Sequence, residues 1–123
     1  MKAETAAWLA KAEDDFSAAA WLLKSETALT LASAFHIQQC AEKLLKALLV
    51  EKETGFEKKH DLAYLLERTA EATLGSYTDF LELLSPYAVE FRYPGDFASP
   101  SDQETRQLLA QLADFRSDIL RIL

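Results

Sequence analysis

The stretch Phe35 to Glu51, FHIQQCAEKLLKALLVE, constrains the chain more than any other because it contains neither Gly nor Pro and repeats its apolar residues at helical spacing. Ile37, Ala41, Leu44, Leu45 and Leu48 fall on one stripe at the 3.6-residue period. His36, Gln39 and Lys43 fall on a neighbouring stripe. Glu42 precedes Lys46 by four residues, the order that supports an exposed helix surface by about 0.2–0.5 kcal/mol. The spacing predicts a long helix with one face for a core and one that offers polar groups.

A chain of 123 residues, half of them hydrophobic, is long enough for one core and is expected to form one domain over residues 1–123. Three Gly and three Pro in an Ala- and Leu-rich chain point to helices rather than a sheet. The flanking sequence divides accordingly. A first helix is expected from about Glu4 to Lys24, with Leu9, Ala12, Phe16, Ala19 and Leu23 inward. Its acidic run Glu13, Asp14 and Asp15 reads as a solvated face, and Trp21 lies opposite the core stripe as a candidate contact residue.

The second helix is expected over about Leu29 to Thr54, with Thr27 or Thr30 as N-cap and Gly55 ending it. A third runs from about Asp61 to Ala72 with Leu62, Leu65 and Leu66 inward. Gly75 breaks the chain before a fourth helix that begins near Ser76 and carries Phe80, Leu81 and Leu84. Ser85-Pro86 starts a short further segment reaching Phe91. Pro94, Gly95 and Pro100 make Arg92–Pro100 a loop. Ser101 and Glu104 form a capping box for a last helix, whose seam is Leu108, Leu112, Phe115, Ile119 and Ile122. The pattern is that of an all-α, up-and-down bundle of four to five helices.

The charge narrows the function classes. A formal net charge of −7 disfavours tight non-specific binding to nucleic acid while leaving room for a local basic site. The one cysteine, Cys40, forms no internal disulfide and reads as a small buried apolar residue. A reducing cytoplasm suits it, and the charged, amphipathic start of the chain does not read as a signal peptide. No apolar run approaches the ~20 residues of a membrane span. No phosphate-binding Gly loop, metal-ligand pattern or Ser–His–Asp arrangement is present, and no cofactor is expected.

What remains is a polar set: His36, Gln39 and Lys43 on the second helix, His60 entering the third, and Arg92 with Tyr93 on the loop. Arg offers a planar, permanently charged fork for phosphate, and Tyr offers a ring for stacking. The alternative is that Arg92 anchors the loop by pairing with Glu90 or a helix C-terminus.

FHIQQCAEKLLKALL, then KKHDLAYLLE, then PYAVEFRYPGD, together with WLAKAEDDFSAA near the start, resembles the HEPN domain family over nearly the whole chain. The resemblance implies a four- to five-helix bundle and a homodimer with the loop after the fourth helix near the two-fold axis. It implies a minimal nucleotidyltransferase as partner, in a toxin–antitoxin-like pair. Many members of the family are metal-independent ribonucleases whose motif is an Arg, a polar residue, a short spacer and a His. Arg92 matches the Arg, but no His follows His60; Asp96 stands at a similar spacing. The chain is closer to the Arg-Tyr-Pro branch, whose members are discussed as nucleotide- or partner-binding modules.

Three readings are therefore carried forward. The first is a binding module that takes a nucleotide or the nucleotidyltransferase through Arg92, Tyr93, Lys43, His36 and Gln39. The second is a ribonuclease in which Arg92 contacts phosphate and Asp96 or His36 moves the proton. The third is a dimeric interaction protein that uses Trp21 and Phe97.

Overall fold

The computed structural model of the chain describes residues 1–24, 26–89 and 99–123. Among these residues five α-helices follow one another: α1 (Ala3–Leu22), α2 (Thr30–Glu51), α3 (Leu62–Thr69), α4 (Thr78–Leu84) and α5 (Asp102–Ile122). Short 3₁₀ segments, Ala72–Tyr77 and Ser85–Tyr87, flank α4. Among the described residues there is no strand. The architecture is the all-α, up-and-down bundle that the periodicity predicts.

α2 is the axis of the bundle. α1 lies along it, and α3, α4 and α5 close around its other sides. Enclosure explains its burial: between Ile37 and Leu49 only Gln39 and Lys43 escape being buried. The shared core gathers Ile37, Leu44, Leu45, Leu48 and Leu49 from α2 with Ala12 and Ala19 of α1, Leu65 of α3, Leu81 and Leu84 of α4, and Leu112, Phe115 and Ile119 of α5. Phe115 meets the Tyr77 ring edge-on at 5.0 Å, a geometry aromatic pairs favour. Ile122, expected on the α5 seam, is instead exposed, while Leu123, four residues after the buried Ile119, packs against the core.

The helix ends show which local signals act. The capping box forms as written: Ser101 Oγ accepts from the Glu104 amide at 3.0 Å, and the Glu104 carboxylate accepts from the Ser101 amide at 3.3 Å. Asp61 caps α3 by accepting from the Tyr64 amide at 3.1 Å. The start of α2 differs from expectation. Leu29 holds the N-cap position and no side chain caps it, so neither Thr27 nor Thr30 occupies that position.

The end of α2 differs as well. Glu53, not Gly55, takes the left-handed conformation, at φ 56°. The Thr54 amide donates to the Leu49 carbonyl and the Glu53 amide to the Val50 carbonyl, the paired bonds of a Schellman ending. A second left-handed residue, Ala70 at φ 54°, ends α3 at Thr69, three residues before its expected end at Ala72. Gly75 lies inside the first 3₁₀ segment and α4 starts at Thr78.

Candidate functional site

The polar stripe of α2 meets two buried carboxylates. The first comes from α1. Asp15 was expected on a solvated acidic face, and the structure corrects this: Asp15 is buried, between Ala12 and Ala19. Three consecutive helical residues point about 100° apart, so a run of three acids cannot share one direction. Asp14 faces solvent. Glu13 turns toward α5 and accepts from Arg116 Nε at 2.5 Å. Asp15 turns inward, where Oδ1 lies 2.8 Å from His36 Nδ1 and Oδ2 accepts from Lys43 Nζ at 2.5 Å. Two members of the predicted site, His36 and Lys43, are thus held by one carboxylate from the neighbouring helix.

The second carboxylate is Glu42. It was expected to form an exposed pair with Lys46, but both are buried. Glu42 Oε2 accepts from Lys46 Nζ at 2.9 Å, and Glu42 Oε1 lies 2.9 Å from His60 Nδ1 at the entry to α3. Gln38 Nε2 donates to the same carboxylate at 3.3 Å, and Gln39 Nε2 donates to Gln38 Oε1 at 2.7 Å. Gln39, a predicted ligand contact, is therefore a link in this chain of hydrogen bonds. Lys46 Nζ also stands 5.4 Å from the centre of the Trp8 ring, within cation–π range.

Both histidines of the chain present Nδ1 to a carboxylate. A carboxylate only accepts, so Nδ1 carries the hydrogen and the neutral ring keeps its acceptor lone pair on Nε2. A carboxylate behind Nδ1 fixes the tautomer and the ring plane.

The two rings open onto different clefts. His36 lines a groove of about 430 Å³ with Leu29, Leu31, Phe35, Tyr87, Val89 and Ser99. His60 lines a cleft of about 490 Å³ with Glu4, Trp8, Lys46, Phe56 and Lys58. Both volumes fall within the range of small-molecule sites. Phe35 meets the His36 ring edge-on at 5.2 Å, which further restrains it.

Cys40 lies one turn from His36 and is buried, as expected from its place on α2. Burial first, then the negative charges of Asp15 and Glu13, push its thiol up to about 12, against the opposing pull of Arg116 and Lys43. A thiol held so strongly protonated is no nucleophile, and His36 is committed to Asp15. The predicted residues Arg92, Tyr93, Asp96 and Phe97 lie outside the described residues. Trp21 is exposed as read from the sequence, with Lys24 Nζ 5.8 Å from its ring centre.

Among the described residues no group of three or more His, Cys, Asp or Glu is placed to hold a metal ion. Among the same residues no helix is long and apolar enough to cross a membrane.

A helical bundle whose central helix carries a polar stripe, with a carboxylate-held histidine at each of two clefts, defines a compact α-helical module built around one axis. The family model for the HEPN domain matches residues 5–122. The chain belongs to the HEPN domain family. No curated protein and no solved structure matches it.

Proposed function

We propose that this HEPN-type module is a binding protein that acts as a homodimer and takes a nucleotide, or a nucleotide-handling partner of the minimal nucleotidyltransferase kind, at the groove beside His36. The observation that carries this reading is the make-up of that groove. It joins the start of α2, with Phe35 and His36, to Tyr87, Val89 and Ser99. Val89 and Ser99 are the described residues that bracket the segment bearing Arg92 and Tyr93. By their chemistry Arg92 and Tyr93 offer a phosphate contact and a stacking surface, and His36 offers a hydrogen-bonding ring.

In this reading His36 and Arg92 touch the ligand and Tyr93 stacks on it. Lys43 acts through Asp15: its ammonium offsets the carboxylate that orients His36, so it is a positioning residue. Gln39 likewise acts through Gln38. The paired system is toxin–antitoxin-like, with this chain as the HEPN half. The experiment is a calorimetric titration of ATP and of a purified minimal nucleotidyltransferase into the wild type, Arg92→Ala and His36→Ala. Binding lost in Arg92→Ala supports the assignment, and tight binding that survives it overturns the site.

The second reading, a metal-independent ribonuclease, draws support from the His36–Asp15 pair. A histidine oriented through Nδ1 has the arrangement of a general acid–base, and it offers a proton carrier where the sequence has no His after His60. RNA cleavage in EDTA that disappears in both Arg92→Ala and His36→Ala would move the chain to this class.

A further inference from the structure

The cleft at His60 is distinct from the groove at His36, and its lining is chemically specific. Trp8 and Phe56 are half-buried aromatic residues, Lys58 and His60 are exposed, and the buried Lys46 ammonium lies against the Trp8 ring. Two other hollows lack this combination. The one between α3 and α4 is lined by Glu67 and Glu71 among apolar residues. The one near the end of α5 has Arg121 as its cation, and Arg121 is tied to Asp118 at 2.8 Å.

The charges of the cleft sort into spent and available. Lys46 and Glu42 neutralise each other within α2. Lys59, next to the cleft, is spent on Glu57 at 2.9 Å and on the Tyr64 ring. Among the groups lining the cleft, Lys58 and His60 then remain against Glu4 at the rim. His60 has its Nδ1 anchored on Glu42, so Nε2 is the ring nitrogen left to meet a ligand's polar group. On a chain of net charge −7, a small anion finds attraction only where cations are locally in excess.

We propose that this cleft binds a small aromatic phosphate monoester, with the ring against Trp8 and Phe56 and the phosphate on Lys58 and His60. Lys58 supplies a positive charge for the phosphate and His60 Nε2 a hydrogen-bonding nitrogen beside it. The two aromatic walls favour a flat apolar body over a bare ion, because stacking adds attraction for any π-face. Glu4 opposes the phosphate, and this gives the site a charge signature that packing alone would not produce.

The test uses Trp8 as reporter. Trp21, the other tryptophan of the chain, is replaced in a Trp21→Phe protein, and Trp8 fluorescence is titrated with phenyl phosphate, inorganic phosphate and phenol. The expected result is saturable quenching by phenyl phosphate at millimolar or lower concentration, with inorganic phosphate and phenol each weaker by about fivefold or more. Lys58→Ala and His60→Ala each weaken phenyl phosphate by about fivefold, while Glu4→Gln strengthens it about twofold to fivefold. All three side chains are on the surface, so circular dichroism is expected to be unchanged.

Arg92→Ala and His36→Ala leave this titration unaltered, so its outcome is separate from that at the other groove. Absence of saturation by about 10 mM phenyl phosphate would overturn the proposal. So would phenol matching phenyl phosphate, or binding indifferent to both Lys58→Ala and Glu4→Gln.

Discussion

Asp15 and Glu42 each hold one lysine and one histidine, but they distribute exposure differently. In the Asp15 cluster the carboxylate is buried while the side chains of Lys43 and His36 remain 22% and 29% exposed. In the Glu42 cluster the lysine is buried with the carboxylate, at 10% and 4% side-chain exposure, and the histidine is 67% exposed. The difference follows from position. Asp15 reaches α2 from α1, at a seam where the α2 partners can still turn to water. Glu42 and Lys46 belong to one helix and lie where the surrounding elements enclose both. Removing the acid therefore strands a charge in one cluster and merely frees it in the other.

The largest effect that separates them is at Glu42. Glu42→Ala leaves the Lys46 ammonium buried without its anion and is expected to cost about 3–5 kcal/mol in the denaturant midpoint analysis. The paired change Glu42→Gln with Lys46→Met is expected to recover most of that loss, because two matched neutral groups need no counter-charge. Equal losses in the single and double variants would break the comparison.

Asp15→Ala comes next, at about 1–3 kcal/mol, because Lys43 and His36 regain water. A cost equal to that of Glu42→Ala would show that the two seams are equally closed.

A polar contact remote from both clusters sets the baseline. Tyr77 donates to Asp118, and burial, followed by that hydrogen bond, pushes its hydroxyl up from 10.0 to about 12. The folded pKa lies above the unfolded one. Stability from this contact is complete below about pH 10 and is lost as pH climbs through about 12. The advantage of the wild type over Tyr77→Phe, about 1 kcal/mol near neutral pH, should therefore shrink between about pH 10 and about pH 12. A constant difference across that window would contradict it.

The smallest expected change is His60→Ala, below about 1 kcal/mol in thermal or denaturant unfolding. Its ring is mostly in water, so its contact with Glu42 contributes little to stability.

Much of the fold was legible from periodicity and end signals. The Ser101–Glu104 box and the Asp61 cap act through bonds between near neighbours in the chain, so sequence carries their whole cause. The site was less legible. Glu42 and Lys46 have the spacing of an exposed helical pair, and only the number of helices around α2 determines that they are buried. Asp15 was hidden by its acidic neighbours, although its place between Ala12 and Ala19, at helical spacing on a stripe of small residues, was a usable signal. The left-handed Glu53 could not be read because Gly55, two residues later, is the stronger local candidate for that conformation. The anchoring of His36 depends on a partner from α1, Asp15, that no motif in α2 names.

The cysteine at the centre of this arrangement has a practical consequence. Cys40 is the one thiol of the chain, it is closed off from solvent, and its acidity is suppressed to about 12. Alkylating reagents need both access and a thiolate, and the native state provides neither. Each modified molecule therefore records one excursion in which α2 lost its wrapping. Counting labelled against unlabelled protein by mass over time turns Cys40 into a stopwatch for the opening of the bundle.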